Sequence, residues 1–216
     1  MKIMDKKAHW EHVFSTKKED EVSWYQKNPE SSIYFIEKLN LPKDAKIIDV
    51  GGGDSYLIEH LLNLGYIHLY LLDISKNAIE RIQKRLGKDS RKVNFITHDV
   101  IDFVSEEKFD VWHDRASFHF FTNPVDINLY KKIAAGSIKE NGNLIIGTFS
   151  KKGPIKCSGL PVNQHSSTTL KAVFYPDFEM IEDQEIEHKT PFNTIQNFIF
   201  CSFKRNSDTN KSIEKS

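Results

Sequence analysis

IIDVGGGDS, residues 47–55, is where the fold can first be read. AKIIDV (45–50) is a short, mostly apolar run that stops at a glycine cluster, the pattern of a buried strand. Gly51 and Gly53 stand at its carboxyl end, directly before a helical stretch. Missing side chains there let the backbone turn tightly and let a ligand lie against it. A tight turn alone needs no more than this, so the glycines by themselves are a weak signature.

Outward toward the carboxyl terminus, strand and helix alternate. Tyr56–Leu64 reads as a helix stopped by Gly65, and IHLYLLD (67–73) as a second strand. Ser75 caps a helix to Leu86, with Gly87 at its end; KVNFIT (92–97) is a third strand and FDVWH (109–113) a fourth. A helix at 126–139 and the turn dipeptide Asn141-Gly142 lead to a fifth strand, NLIIGTF (143–149). Such spacing means βαβ units, a mainly parallel sheet and right-handed crossovers. Residues 150–165 form a loop long enough to suggest function, and a short helix near 167–173 follows. FEMIEDQEIEH (178–188) and TIQNFIFCSF (194–203) are joined at Pro191 without a helix, so they should pair antiparallel.

Outward toward the amino terminus, Asn28-Pro29 opens a helix to Asn40 as cap and first residue, with Ile33, Ile36 and Leu39 at helical spacing. Asp5–Phe14 is a short helix with Trp10 and Phe14 on one face, and the charged KKEDE (17–21) separates it from Trp24 and Tyr25. The chain divides into a helical lid segment at 1–27, a ligand-binding domain at 28–204 and a disordered tail at 205–216.

Composition narrows the class. The 216 residues carry 30 Lys+Arg and 30 Asp+Glu, a formal net charge of zero that argues against a dedicated nucleic-acid binder. Two cysteines, Cys157 and Cys201, are too few for a disulfide scaffold or a CxxC zinc site. No apolar run reaches bilayer length, and the start of the chain lacks a signal peptide's apolar core, so a cytoplasmic protein without a membrane partner is expected.

Two carboxylates give the glycines a meaning. Asp73 ends the second strand, 20 residues after Gly53, where it can accept both hydroxyls of a ribose. Asp99 follows the third strand in THDV, where it can take an amino hydrogen of adenine. Three such features at three consecutive strand ends point to a nucleoside cofactor. A dinucleotide is disfavoured, because its fingerprint wants glycine where Tyr56 stands. No GK[ST] follows, so phosphoryl transfer lacks its lysine.

IDVGGGDS, LLDIS, THDV, FDVWHDRASFHFF and ENGNLIIGTF together resemble, in order and spacing, the motif blocks of class I S-adenosylmethionine-dependent methyltransferases, over roughly residues 8–204. The resemblance implies an α/β, Rossmann-like three-layer sandwich with a seven-stranded, mainly parallel sheet and an antiparallel last strand. Ser55 stands in place of the family's third glycine. Trp10, Phe14, Trp24 and Tyr25 are similar to the N-terminal aromatics of the methyltransferases that modify elongation factor 1A lysines. Carried over by position, Trp10, Phe14 and Trp24 would cover S-adenosyl-L-methionine, Gly51 would contact its methionine part, and Gly53 belongs to the same cofactor-binding set. Asp73 and Ile74 would meet the ribose and adenine, Asp99 and Val100 the adenine edge, and Arg115 the methionyl end.

Methyl transfer from a sulfonium is an in-line displacement in which positioning supplies much of the rate. His113, Asp114, Arg115, His119, Phe120 and Phe121 are the candidate lining of the acceptor site. His119 is the candidate catalytic base, with a histidine held by a backbone carbonyl as the alternative. Asp114 and Arg115 are read as substrate contacts or as a local ion pair. HDRA occupies the place of the Asn/Asp-Pro-Pro-Tyr type motif of enzymes that methylate exocyclic amines of bases or glutamine amides, which disfavours DNA adenine or cytosine chemistry, and no metal ligand set is evident. Cys157 lacks an adjacent base and is not expected to be a nucleophile. A small-molecule methyl acceptor is expected, with a protein lysine or a non-catalytic cofactor-binding module as alternatives.

Overall fold

The computed structural model describes residues 5–207. Helix α1 (Lys6–Thr16) starts where the Asp5 carboxylate accepts from the Ala8 amide at 3.1 Å, and it buries Val13 and Phe14. Helix α2 (Glu30–Lys38) begins one residue later than the sequence implies. Pro29 takes the cap position, and the Glu30 amide bonds the Asn28 carbonyl instead of a side chain.

The remaining elements alternate up to β3, after which a single 3-10 turn at Val100–Asp102 takes the place of a helix: β1 (Lys46–Val50), α3 (Leu57–Asn63), β2 (His68–Asp73), α4 (Lys76–Leu86), β3 (Val93–Thr97), β4 (Phe109–Arg115) and α5 (Pro124–Ser137). Ser75 caps α4 by accepting from Ala78 at 3.2 Å, and Gly87 ends it at φ 55°. β5 (Ile138–Phe149) starts five residues before the predicted strand. Asn141, at φ 57°, sits in a register shift against β4, so the expected turn survives as an irregularity inside the strand. The long loop folds a small hairpin, β6 (Lys156–Cys157) with β7 (Leu160–Pro161), before α6 (Ser167–Phe174), β8 (Phe178–Lys189) and β9 (Ile195–Arg205).

Seven strands form one sheet in the order β3-β2-β1-β4-β5-β9-β8. β1 to β5 run parallel, and β9 is antiparallel to both of its neighbours. The α/β sandwich with an antiparallel last strand is therefore present. Each face of the sheet has its own apolar layer. Trp112, Phe118, Tyr130 and Phe174 fill the layer under α5 and α6, while Phe35, Leu61, Ile79 and Phe200 fill the one under α2, α3 and α4. Parallel strands release their loops at one edge, and there the sheet's order reverses direction between β1 and β4. A crevice opens at such a switch point.

Candidate functional site

One cleft runs along the carboxyl ends of β1 to β4, roofed by α1 and the segment that follows it, with about 1210 Å³ of free space including its mouth. Its floor is the glycine turn. Gly51 and Gly53 take φ 62° and 57°, a region that costs an L-residue energy. A Cβ on Gly53 would stand 3.0 Å from the Phe14 ring, so the floor and the roof nearly touch.

The β2 and β3 ends make one pole. Asp73 accepts from the Gly53 and Ser75 amides, both at 2.8 Å, which fixes its carboxylate in the cleft wall. Burial pushes its carboxyl up to about 7, with Asp49 and Asp54 adding repulsion and the two amides opposing. Asp99 caps a single turn by accepting from Ile101 at 3.2 Å, and Ile74, His98 and Val100 complete this pole.

The β4 end makes the other pole, two strand spacings (about 10 Å) from Asp73. His113 bonds Asp49 through Nδ1 at 2.8 Å, both residues being buried, and its Nε2 has no partner among the described residues. Arg115 donates one Nη to the Trp24 carbonyl at 2.9 Å and lies 5.0 Å over the Phe198 ring, while its other Nη has no partner there. Burial lowers its guanidinium to about 10. Gln26, held by His188 at 3.3 Å, leaves its Oε1 free, and Ser32 on α2 leaves its hydroxyl free. All four residues line the cleft. Buried polar atoms without partners are costly, so a pole that gathers four of them suits a polar ligand.

Between the poles stands an aromatic wall. Trp10 lies 5.0 Å from Phe120, 5.9 Å from Trp24 and 6.1 Å from Phe14. The ten residues assigned to the cofactor by resemblance all line this cleft. Of the six assigned to the acceptor, His113, Arg115, Phe120 and Phe121 line it; Asp114 and His119 do not.

His119 lies instead in the core, fully buried and stacked on Phe149 at 4.2 Å with ring planes 4° apart. Burial, with His165 and Arg115 nearby, lowers it to about 3, and both ring nitrogens lack a partner among the described residues. A base so placed and so weak has no path to a proton in the cleft. The backbone-carbonyl alternative does not hold either. The Asp114–Arg115 ion pair is also replaced: Asp114 accepts from Tyr130 at 2.7 Å, Phe118 at 3.0 Å and Ser117 at 3.1 Å. Cys157 is buried and its thiol is pushed up to about 11, the state of an inert cysteine. Asp49, Gln26 and Ser32 went unread. An acid inside the apolar IIDV run was the one visible signal, because a buried acid needs a partner.

A twisted, mainly parallel sheet with this strand order and a cleft across its first four strand ends defines a Rossmann-like methyltransferase fold. The chain belongs to the methyltransferase domain family, whose model matches residues 41–205. It is 27% identical over 158 residues to EEF1A lysine methyltransferase 2 of Danio rerio, covering 70% of this chain and 62% of that protein. It is 29% identical over 113 residues to malonyl-acyl-carrier-protein O-methyltransferase 1 of Ilyobacter polytropus, covering 51% of this chain and 40% of that protein. The chain thus spans less than two thirds of the length of these relatives. Among solved structures it is similar to the N-methyltransferase NodS of Bradyrhizobium japonicum in complex with S-adenosylhomocysteine, with a TM-score of 0.70 and 13% identity, covering 92% of this chain and 100% of that one. Among the described residues no helix is long and apolar enough to cross a membrane.

Proposed function

We propose that this protein is an S-adenosylmethionine-dependent methyltransferase of a small-molecule acceptor. The observation that carries the reading is a cleft with unlike poles on either side of an aromatic wall. Asp73 and Asp99 suit the hydroxyls and amine of a nucleoside. Arg115 suits a carboxylate, and Gln26, His113 and Ser32 offer acceptors to an ammonium, which together match the amino-acid end of the same cofactor. When bound, S-adenosylmethionine supplies a methyl carbon made electrophilic by a sulfonium.

The protein's own part is to bind, align and exclude water. Trp10, Trp24 and Phe120 present faces that favour a cation and keep solvent out. Residues 5–27 of the expected 1–27 segment act as the lid over a domain at 28–204, and residues 1–4 and residues 208–216 of the expected tail lie outside those described. In this reading the free nitrogen of His113 is taken by the ammonium, so the acceptor's proton leaves to solvent at the mouth of the cleft.

Protein lysine is the second reading, favoured by the likeness to EEF1A lysine methyltransferase 2 over 70% of the chain. Against it, Lys6, half-exposed and 3.5 Å from Asp126, adds a positive charge to the cleft lining that a lysine ammonium would meet. Incubation with S-adenosylmethionine labelled in the methyl group and a cell extract, followed by separation of small molecules from protein, tests both. Label among small molecules is the expected result. Label on protein would support the lysine reading, and label in neither would leave a cofactor-binding module.

A further inference from the structure

α1 buries Val13 and Phe14 alone among its residues, too little apolar surface to fix both the height and the rotation of a helix over a cleft. Polar contacts supply the rest: apart from Lys6, which reaches Asp126 on α5 at 3.5 Å, they converge on α4 and its cap. The first amides of a helix have no partner within it. Here Glu11, from α1, takes them: it accepts from Lys76 at 2.9 Å, from Asn77 at 3.0 Å and from the Ser75 hydroxyl at 2.8 Å. Asn77 answers by donating its side-chain amide to the Glu11 carbonyl at 3.2 Å. Burial raises the Glu11 carboxyl, but the amides of Asn77 and Lys76 and the Ser75 hydroxyl outweigh it and leave the group below its ordinary value. Ser75 is shared, because its own amide donates to Asp73 in the cleft at 2.8 Å.

A second clasp sits further along α4. Arg81 donates to Asp54 of the glycine turn at 2.9 Å and to the Lys17 carbonyl just past α1, and its guanidinium lies 5.9 Å from the Phe14 ring. Neither Glu11 nor Arg81 lines the cleft. Each ties one cleft-forming loop to one end of the roof.

We propose that Glu11 and Arg81 are positioning residues, a two-point clasp through which α4 holds Trp10 and Phe14 at the height that closes the cleft on its ligand. The inference rests on the cofactor reading for its ligand, not for its contacts. Glu11 acts through Trp10, its neighbour in the chain. Arg81 acts through Phe14 and the carbonyl of Lys17. A shift of the Asp73 loop is passed to the roof through Ser75, so occupancy of the nucleoside pole and closure of the roof are one event rather than two. The charged stretch at 17–21 begins at the Lys17 clasp and is exposed except at Glu19, which Arg85 of α4 holds at 3.2 Å and Tyr56 at 2.9 Å, and its release from α4 is readable by a protease that cuts after lysine.

The test compares the full-length wild type with Glu11→Ala, Glu11→Gln and Arg81→Ala. S-adenosylhomocysteine affinity is measured by calorimetry, and tryptic cleavage at Lys17 and Lys18 is timed with and without that ligand. The expected result is at least fivefold weaker binding in Glu11→Ala and Arg81→Ala, with faster cleavage and little protection by ligand. Glu11→Gln, which keeps an acceptor oxygen, should fall between. A purely structural contact would lower the melting temperature of the ligand-free protein without changing ligand-dependent protection; that result overturns the proposal, as does wild-type behaviour in both assays. If Glu11→Ala does not fold, Glu11→Gln carries the same comparison. Should the wild type not bind S-adenosylhomocysteine, the cofactor reading falls. Cleavage of the ligand-free proteins then decides the clasp, with equal rates overturning it and faster cleavage of the variants supporting it.

Discussion

The carboxyl ends of β2 and β4 both carry an aspartate, and the two have opposite fates. Asp73 ends β2 facing the cleft, where two backbone amides hold its carboxylate against the glycine turn. Asp114 sits one residue before the end of β4, and the strand's alternation turns it the other way, into the layer with Trp112 and Tyr130. There it ties the chain after β4 to α5, through Ser117, Phe118 and the Tyr130 hydroxyl, which in turn accepts from Trp112 at 2.9 Å. One position of phase along a strand thus separates a carboxylate that meets a ligand from one that closes a core.

The largest expected effect is at the closed end. Asp114→Ala strands three donors in the interior, each costing about 1–3 kcal/mol. Loss of about 3 kcal/mol or more is expected, read as a fall in melting temperature of roughly 6–12 °C for a chain of this size. A variant that melts with the wild type would show that Asp114 does not hold the core, and the contrast with Asp73 would collapse.

At the open end the effect moves from stability to binding. Asp73→Asn removes a charged acceptor whose bonds to ribose hydroxyls are worth about 1.5–3 kcal/mol each. S-adenosylhomocysteine affinity should fall at least about tenfold, equivalent to 1.4 kcal/mol, while circular dichroism stays native. Unchanged binding by calorimetry would remove Asp73 from the nucleoside pole.

A pH series sharpens the same point. Folding pushes the Asp73 carboxyl up to about 7 from an ordinary 3.8 through burial. Between these values the folded protein keeps a proton that the unfolded chain has released, so the ligand-free fold loses stability as pH rises through that window. Asp114, pushed up to about 6 by burial, contributes with the same sign, so melting alone does not separate the two. Ligand binding does. A carboxylate that accepts hydroxyl donors must be ionised, so wild-type affinity should strengthen from pH 6 to pH 8, and Asp73→Asn should flatten that rise. A flat wild-type profile would show that ionisation of Asp73 is not coupled to binding.

The smallest effect is expected at His119. His119→Phe leaves no hydrogen bond broken, since neither ring nitrogen has a partner among the described residues, and the cleft is not lined by this ring. Turnover should stay within about twofold, because a group outside the site has no transition-state contact to lose. A hundredfold loss would return His119 to the reaction.

What the sequence makes legible follows from range. The glycine turn, Asp73 and Asp99 are fixed by local rules, strand then turn then helix, and their places hold in the structure. Trp10 and Phe14 are one turn apart, and that spacing alone puts them on one face. The two misreadings near β4 are of another kind. Whether His119 reaches the cleft depends on Phe149, 30 residues away in sequence and stacked against it. Whether Asp114 pairs with Arg115 depends on Tyr130 and on which face of the sheet each side chain takes. The Asp49–His113 pair joins residues that become neighbours only when β1 and β4 align in register. No pattern within either strand announces that meeting.

The glycine turn has a consequence for how this sequence can vary. A Cβ on Gly51 would lie 2.4 Å from the Cβ of Ser117, in the segment that follows β4. The two loops are therefore seated against each other at a spacing that one methyl group would spoil. Replacing Ser117 with glycine would clear the space without relaxing the backbone of residue 51, which stays at φ 62°. Residue 51 is thus constrained twice, by shape and by conformation, whereas residue 117, at φ −112°, carries no such backbone constraint. Random mutagenesis with selection for folding should therefore leave position 51 glycine even where position 117 varies.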